Sequence, residues 1–316
     1  MSGKGVTHVT WRPGVPLDLG ATVSRFTVSA DEAVNRYDGE VFERVLEVGG
    51  GRLHLLRVRS AQPERSGRKS QVEQGLSAEI HPMVRDRRDL TRLRKTLYHI
   101  LAVDDDLDAF ARVARKDPVL RPLIRAFRGL RLARVPTLFE ALVTAVTAQQ
   151  VNLSFAGTVR ARLVRAYGKS LAVEGRRYYA FPTPAPLVRA AEKRLLGMKF
   201  SGAKARTVVG LARAFADGEL DGVERLPTPA AIERLTRIKG IGRWTAETAL
   251  LRGMGRLDAF PADDLGIRKI VAAYYGGGEN VAKVGGDGVR KVAEGWGLFA
   301  PYAMTYLFHA KRTGLI

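Results

Sequence analysis

One stretch constrains the fold of this chain more than any other. Residues 235–269 read L-T-R-I-K-G-I-G-R-W-T-A-E-T-A-L-L-R-G-M-G-R-L-D-A-F-P-A-D-D-L-G-I-R-K. A helix is predicted to start at Thr228-Pro229, because threonine caps helix starts and proline suits the first turn. Ile232, Leu235 and Ile238 then fall on its inner face. Lys239-Gly240-Ile241-Gly242 ends it, since glycine takes the positive φ that a tight reversal needs. Arg243 to Met254 reads as a second helix whose first amides point back into the hairpin. Such a terminus is shaped to hold a phosphate. A short loop follows, and Asp263-Asp264 precede a third helix.

Charge agrees with that expectation. The chain carries 52 Lys and Arg against 32 Asp and Glu, a formal net charge of +20. A balance this basic predicts a polyanionic partner, nucleic acid foremost, the other reading being a solvated basic surface. With 316 residues, 46% of them hydrophobic, the chain can bury a full core and form two or three subdomains. It has no cysteine, which excludes disulfides, thiolate zinc sites, cysteine nucleophiles and cysteine-ligated iron–sulfur clusters. Its five histidines are scattered, with no metalloprotease spacing. No apolar run approaches the roughly 18 residues of a membrane span. The N-terminal residues lack a signal-peptide core, so a cytoplasmic protein is expected.

Residues 1–85 read as a β-rich, antiparallel α+β domain. His8–Trp11 and Arg52–Val58 are strand-like, the second alternating only in part, and Phe42–Val48 is expected to pair with it across Gly49-Gly50-Gly51. Ala30–Arg36 reads as a short helix and Pro63–Ser70 as an exposed basic loop. From Asp86 the period becomes helical: Leu90, Leu93, Leu97, Ile100 and Leu101 share one face. Asp104-Asp105-Asp106 reads as a helix start rather than a metal site. Leu138, Phe139, Leu142, Val143 and Val146 form an apolar stripe that ends at A-Q-Q-V-N (148–152), and a helix follows from Ser154 to Tyr167. Gly168-Lys169-Ser170 matches the end of a phosphate loop, but Leu163 stands where the motif needs glycine. Gly276–Gly278 and Gly285-Gly286 read as loops. The predicted architecture is mainly α, with residues 86–316 an all-α region of two helical subdomains and the helix-hairpin-helix at about 229–254.

L-T-R-I-K-G-I-G-R-W-T-A, followed about twenty residues on by F-P-A-D-D, resembles the helix-hairpin-helix DNA glycosylases of the 3-methyladenine DNA glycosylase II (AlkA) type. The resemblance extends through Phe139–Tyr167 with its A-Q-Q-V-N core, F-P-T-P (181–184), L-G-M-K (196–199) and A-E-G-W-G-L-F-A-P-Y-A (293–303). It covers the chain from about residue 85 to the end, and the N-terminal domain more loosely. It implies a monomer that binds duplex DNA, turns a damaged and alkylated base out of the stack, and hydrolyses its glycosidic bond in base excision repair.

The resemblance carries residue roles with it. Asp264 matches the family's catalytic aspartate, and one carboxylate can steady the positive charge that develops on the deoxyribose. The competing reading is that both aspartates cap the helix beginning near Leu265; the expectation is that Asp263 caps and Asp264 does the chemistry. Trp244 stands where lyase-competent relatives carry a lysine, which implies a water-using, monofunctional enzyme. Its indole is expected to stack on the extruded base, or else to fill the core. Phe299 falls where the family places another stacking ring, with Trp296 a packing residue beside it. Thr248 and Leu265 replace tyrosines of the well-known family member, which makes the predicted base pocket less aromatic. Gln150 falls at the family's wedge position, or is an ordinary polar helix end. Amides around Gly240, Gly242, Arg243 and Thr245 are expected to hold the phosphate, with no cofactor. The carbonyls of Thr236, Ile238 and Ile241 map to a Na+ or K+ ion at the hairpin. Two other functions fit the same residues: a glycosylase for oxidised or deaminated bases, and a non-catalytic DNA-binding module.

Overall fold

The computed structural model describes residues 5–61, 75–276 and 281–316. The basic loop expected at Pro63–Ser70 and two glycines of the 276–278 run lie outside those residues. The N-terminal region is a five-stranded antiparallel sheet of β1 (Thr7–Trp11), β2 (Arg36–Tyr37), β3 (Phe42–Val48), β4 (Arg52–Ser60) and β5 (Leu76–His81), in spatial order β1-β5-β4-β3-β2. The β3–β4 hairpin reverses through Gly49–Gly51, with Gly50 and Gly51 at φ 74° and 78°, where a side chain would be strained.

The partial alternation in β4 has a structural cause. Leu56 and Val58 face the helix Arg87–Ile100, whose Leu93, Leu97 and Ile100 cover that side of the sheet. Val45 and Leu55, paired across β3 and β4, face the other side, where Val173 and Tyr178 cover them. Those two residues belong to a second, two-stranded sheet, β6 (Ser170–Val173) and β7 (Arg176–Tyr179), which interrupts the helices expected to run unbroken from residue 86. A sheet buried on both faces loses its polar face and with it the period-two signal.

Between β1 and β2 the chain leaves the sheet. Helical turns form at Leu19–Val23, capped by Asp18, and at Ser24–Val28, not at Ala30–Arg36. There the Glu32 carboxylate accepts the amides of Val34 and Asn35 at 2.9 and 3.2 Å, which holds an open turn in place of the expected helix. This segment docks on the helical body. Thr22 Oγ1 accepts the Arg131 amide at 3.0 Å, and Arg160 pairs with Glu32 at 2.8 Å.

The helical body shares one core that includes Leu142, Val146, Leu163, Val208, Leu235, Leu250 and Leu307. Of the three consecutive aspartates, Asp106 caps helix Leu107–Ala114, while Asp105 binds the Arg134 guanidinium and accepts the Tyr302 hydroxyl at 2.7 Å. Among the described residues no group of acidic, histidine or cysteine side chains is placed to hold a metal, and no helix is long and apolar enough to cross a membrane.

Candidate active site and DNA-binding hairpin

The hairpin forms as the glycines require. Its first helix spans Thr228–Thr236, with Pro227 at the cap position. Thr228 is not the cap; it is buried one residue inside the helix, and its hydroxyl accepts from Arg256 at 3.3 Å. Gly240 sits at φ 91°, and a Cβ there would lie 2.0 Å from Thr207 Oγ1, so both conformation and packing demand glycine. Gly242 (φ −93°, ψ 174°) precedes helix Arg243–Ala249, whose first amides receive no side-chain cap. They are left for an outside acceptor. Arg243 donates to Glu247 at 2.7 Å, and burial raises the Glu247 carboxyl above its ordinary range. The second helix then widens into a π-turn at Leu250–Met254, ended by Gly255 at φ 72°. The Thr236 and Ile241 carbonyls take no part in the backbone bonds of the hairpin, while that of Ile238 accepts the Ile241 amide at 3.0 Å.

Asp264 and Trp244 meet. The indole Nε1–H of Trp244 donates to Asp264 Oδ2 at 2.8 Å, and Asp264 Oδ1 accepts the Ile267 amide at 3.0 Å. The division of labour expected for the two aspartates is therefore corrected. Asp264 itself caps helix Leu265–Tyr274, and Asp263 turns outward to pair with Arg290 at 2.6 Å. Capping fixes one oxygen of Asp264 and the indole fixes the other, so the carboxylate is held in one orientation.

Both residues line a cleft of about 640 Å3 between the helical body and the N-terminal segment. Thr248 lines it as well, and its hydroxyl is buried without a partner. Two expected pocket residues do not. Leu265 is 56% exposed at the first helical position, whereas Gly266 and Ile267 after it face the cleft. Phe299 packs into the core with its ring 6.0 Å from that of Phe110. Trp296 packs too, donating its indole N–H to Asp117 at 2.8 Å. The cleft takes its other aromatic rings from Phe26, Phe181, Phe260 and Phe308. Phe308 carried a readable signal: Pro301, Met304, Thr305, Phe308 and Arg312 recur at helical spacing, and all line the cleft. The residues from the 21–35 segment carried none, because only docking brings them there.

Gln150 is exposed at the tip between helices Leu138–Ala148 and Leu153–Tyr167, in a left-handed conformation at φ 53°. Its neighbour Gln149, the first glutamine of A-Q-Q-V-N and given no role by the sequence, donates from Nε2 to the Gly240 carbonyl and to Thr245 Oγ1, each at 3.0 Å. The tip and the hairpin are thereby tied into one unit.

The comparisons with known proteins agree with this geometry. Residues 143–285 match the family described as HhH-GPD superfamily base excision DNA repair protein. A DNA-3-methyladenine glycosylase of Bacillus subtilis is 29% identical over 294 residues, covering 92% of this chain and 93% of that protein. DNA-3-methyladenine glycosylase 1 of Schizosaccharomyces pombe is 31% identical over 182 residues, 57% of this chain and 72% of that protein. The solved structure of the 3-methyladenine DNA-glycosylase from Archaeoglobus fulgidus superposes with a TM-score of 0.79 at 25% identity, covering 97% of this chain and 98% of that one. The chain therefore belongs to the HhH-GPD superfamily of base excision DNA repair proteins and is a DNA glycosylase of the 3-methyladenine glycosylase type.

Proposed function

We propose that this glycosylase is a monofunctional, cytoplasmic monomer that turns an alkylated base of duplex DNA into the cleft and hydrolyses its N-glycosidic bond. The observation that carries the reading is the Asp264 carboxylate, held by Trp244 and by its own helix at the wall of the cleft. A fixed anion steadies the positive charge that builds on the sugar as the base departs. Trp244 bears no amine, so this position offers no Schiff-base nucleophile, and water is the natural acceptor of the sugar carbon. In the same proposal the amides at Gly242 and Arg243, beside Gly240 and Thr245, hold a backbone phosphate. Gln150 enters the gap left by the base. The free carbonyls of Thr236 and Ile241, with that of Ile238, suit a monovalent cation, which would screen the phosphate contact.

The test is base release from duplexes that each carry one defined lesion, read with and without alkaline treatment. Release of 3-methyladenine or 7-methylguanine with the strand intact until alkali, and no borohydride-trapped complex, is expected. Strand cleavage without alkali, together with trapping, refutes the monofunctional mechanism. Binding of every duplex with release from none refutes catalysis.

A further inference from the structure

Exposed apolar surface gathers at the mouth of the cleft. Val28, Leu153 and Phe308 are exposed and line it, and Leu265 stands between Asp264 and Gly266, which line it too. Leu153 is the barest of the four, at 61%. Its place in its helix is not that of a surface residue. Ala156, Val159 and Leu163 form a buried stripe of helix Leu153–Tyr167, and Leu153 continues that stripe at the first helical position, past the point where the body covers it. Val151, two residues earlier, is exposed as well. The backbone that carries these side chains is braced. Gln149 bonds the hairpin at Gly240 and Thr245, Lys204 of helix Gly202–Ala216 donates from Nζ to the Thr147 carbonyl at 3.0 Å, and Asn152 caps its own helix by accepting the Phe155 amide at 2.8 Å. Between them Gln150 is held at φ 53°, a strained conformation for a residue with a side chain. The exposed leucine therefore has a fixed aim.

A base turned out of a duplex leaves bare the ring faces of its neighbours in the stack, and that lost stacking is much of what extrusion costs. The amide of Gln150 can bond the edge of the orphaned partner base, but it covers a ring face poorly. A branched apolar side chain covers it well. We propose that Leu153, backed by Val151, is a second wedge: its side chain packs on the bared face of the base beside the vacated position and holds the extruded state open. Gln150 then serves the orphaned base, and the work of one wedge is divided between two residues of the same tip. Leu153 is a positioning residue in this scheme and takes no part in breaking the glycosidic bond. The inference rests on the glycosylase reading above and deepens it.

The test measures single-turnover release of 7-methylguanine by the full chain and its Leu153→Ala and Leu153→Phe variants. Two duplexes are compared, one with the lesion paired to cytosine and one with it opposite a tetrahydrofuran abasic analogue, where extrusion is already easier. Leu153→Ala is expected to slow release from the paired duplex about 10- to 100-fold, the lost apolar cover of one leucine. From the second duplex the slowing should be no more than about three-fold. Leu153→Phe presents a ring to the same face and should stay within about three-fold of wild type on both. Because the side chain is exposed, both variants should unfold in urea at the wild-type midpoint. Gln150→Ala supplies the contrast: its effect should follow the identity of the opposite base, and that of Leu153→Ala the identity of the neighbouring base, being larger beside a purine. Equal slowing of Leu153→Ala on the two duplexes overturns the inference and makes Leu153 a wall of the base site. A lowered unfolding midpoint overturns it in favour of packing, and a phenylalanine variant as slow as alanine overturns it as well. Wild-type release that Leu153→Ala leaves unchanged overturns the inference and leaves the glycosylase standing, whereas no release by the wild type from either duplex overturns both.

Discussion

Asp264→Asn tests the centre of the site on two scales at once. In the native carboxylate Oδ1 accepts the Ile267 amide at 3.0 Å and Oδ2 accepts the Trp244 indole at 2.8 Å, so both oxygens face donors. An asparagine has one oxygen. If it keeps the helix cap, its NH2 group meets the indole N–H; if it turns over to accept the indole, the NH2 meets the Ile267 amide. Either way one donor in a part-buried site loses its acceptor, at a cost of about 1–3 kcal/mol. If Asp264 plays the proposed catalytic role, catalysis loses more, because the negative charge meant for the sugar is gone: a fall of about 10³-fold or more in single-turnover base release is expected. Affinity for a duplex with an abasic site should stay within about three-fold, since the proposed hairpin contacts do not involve this side chain. Denaturation, base-release kinetics and abasic-DNA binding measure the three quantities on the same preparations. An Asp264→Asn enzyme whose base release stays within about ten-fold of wild type, or one as stable as wild type, refutes the reasoning. Trp244→Phe is the complement. It keeps a ring in the cleft but frees Oδ2, so release should slow by about 10- to 100-fold if the indole positions the carboxylate, and hardly at all if it only stacks.

Three further outcomes follow from the same geometry. Gln149→Ala removes both bonds that tie the 149–152 tip to the hairpin, and should weaken extrusion of 2-aminopurine, read by its fluorescence, while the fold loses only about 1–2 kcal/mol; unchanged extrusion counts against the coupling. Gly240→Ala must take a positive φ and push against Thr207 Oγ1, so duplex affinity should fall at least about ten-fold with a stability loss of about 1–3 kcal/mol; wild-type affinity would remove the hairpin from DNA binding. Burial lowers the folded pKa of His81, His99 and His309 below 6.5. The unfolded chain then binds more protons, so stability is fully present above about pH 6.5 and is lost as pH falls through the folded values. Urea denaturation at pH 7.5 and 5.5 should show the decline, and His99→Gln should reduce it.

What could be read from residues alone was whatever is local. The hairpin break at Gly240, the paired β3 and β4 and the helix after Asp264 all follow from glycine conformation, strand alternation and capping chemistry. The roles of adjacent aspartates were not legible, because both are good caps and only the pairing of Asp263 with Arg290, twenty-seven residues later, separates them. Phe299 and Leu265 sat at matched positions, yet packing turned one inward and the other out to solvent. The larger gap concerns the segment before β2. Nothing between Leu19 and Asn35 has the period of a site, since its residues become a wall of the cleft only after the segment crosses onto the helical body.

The π-turn at Leu250–Met254 bears on how such an enzyme can change. One surplus residue in a helix rotates everything after it by about 100° relative to everything before it. Here the surplus falls between the amides at Gly242–Thr245 and the loop that delivers Asp264. In the proposed mechanism, the grip on the backbone and the aim of the carboxylate are therefore set by separate stretches of one chain. A lineage can re-phase the second without disturbing the first by gaining or losing a single codon. Deleting one residue within 250–254 should rewind the turn to a regular helix and leave an enzyme that still holds duplex DNA but presents the wrong face to the sugar.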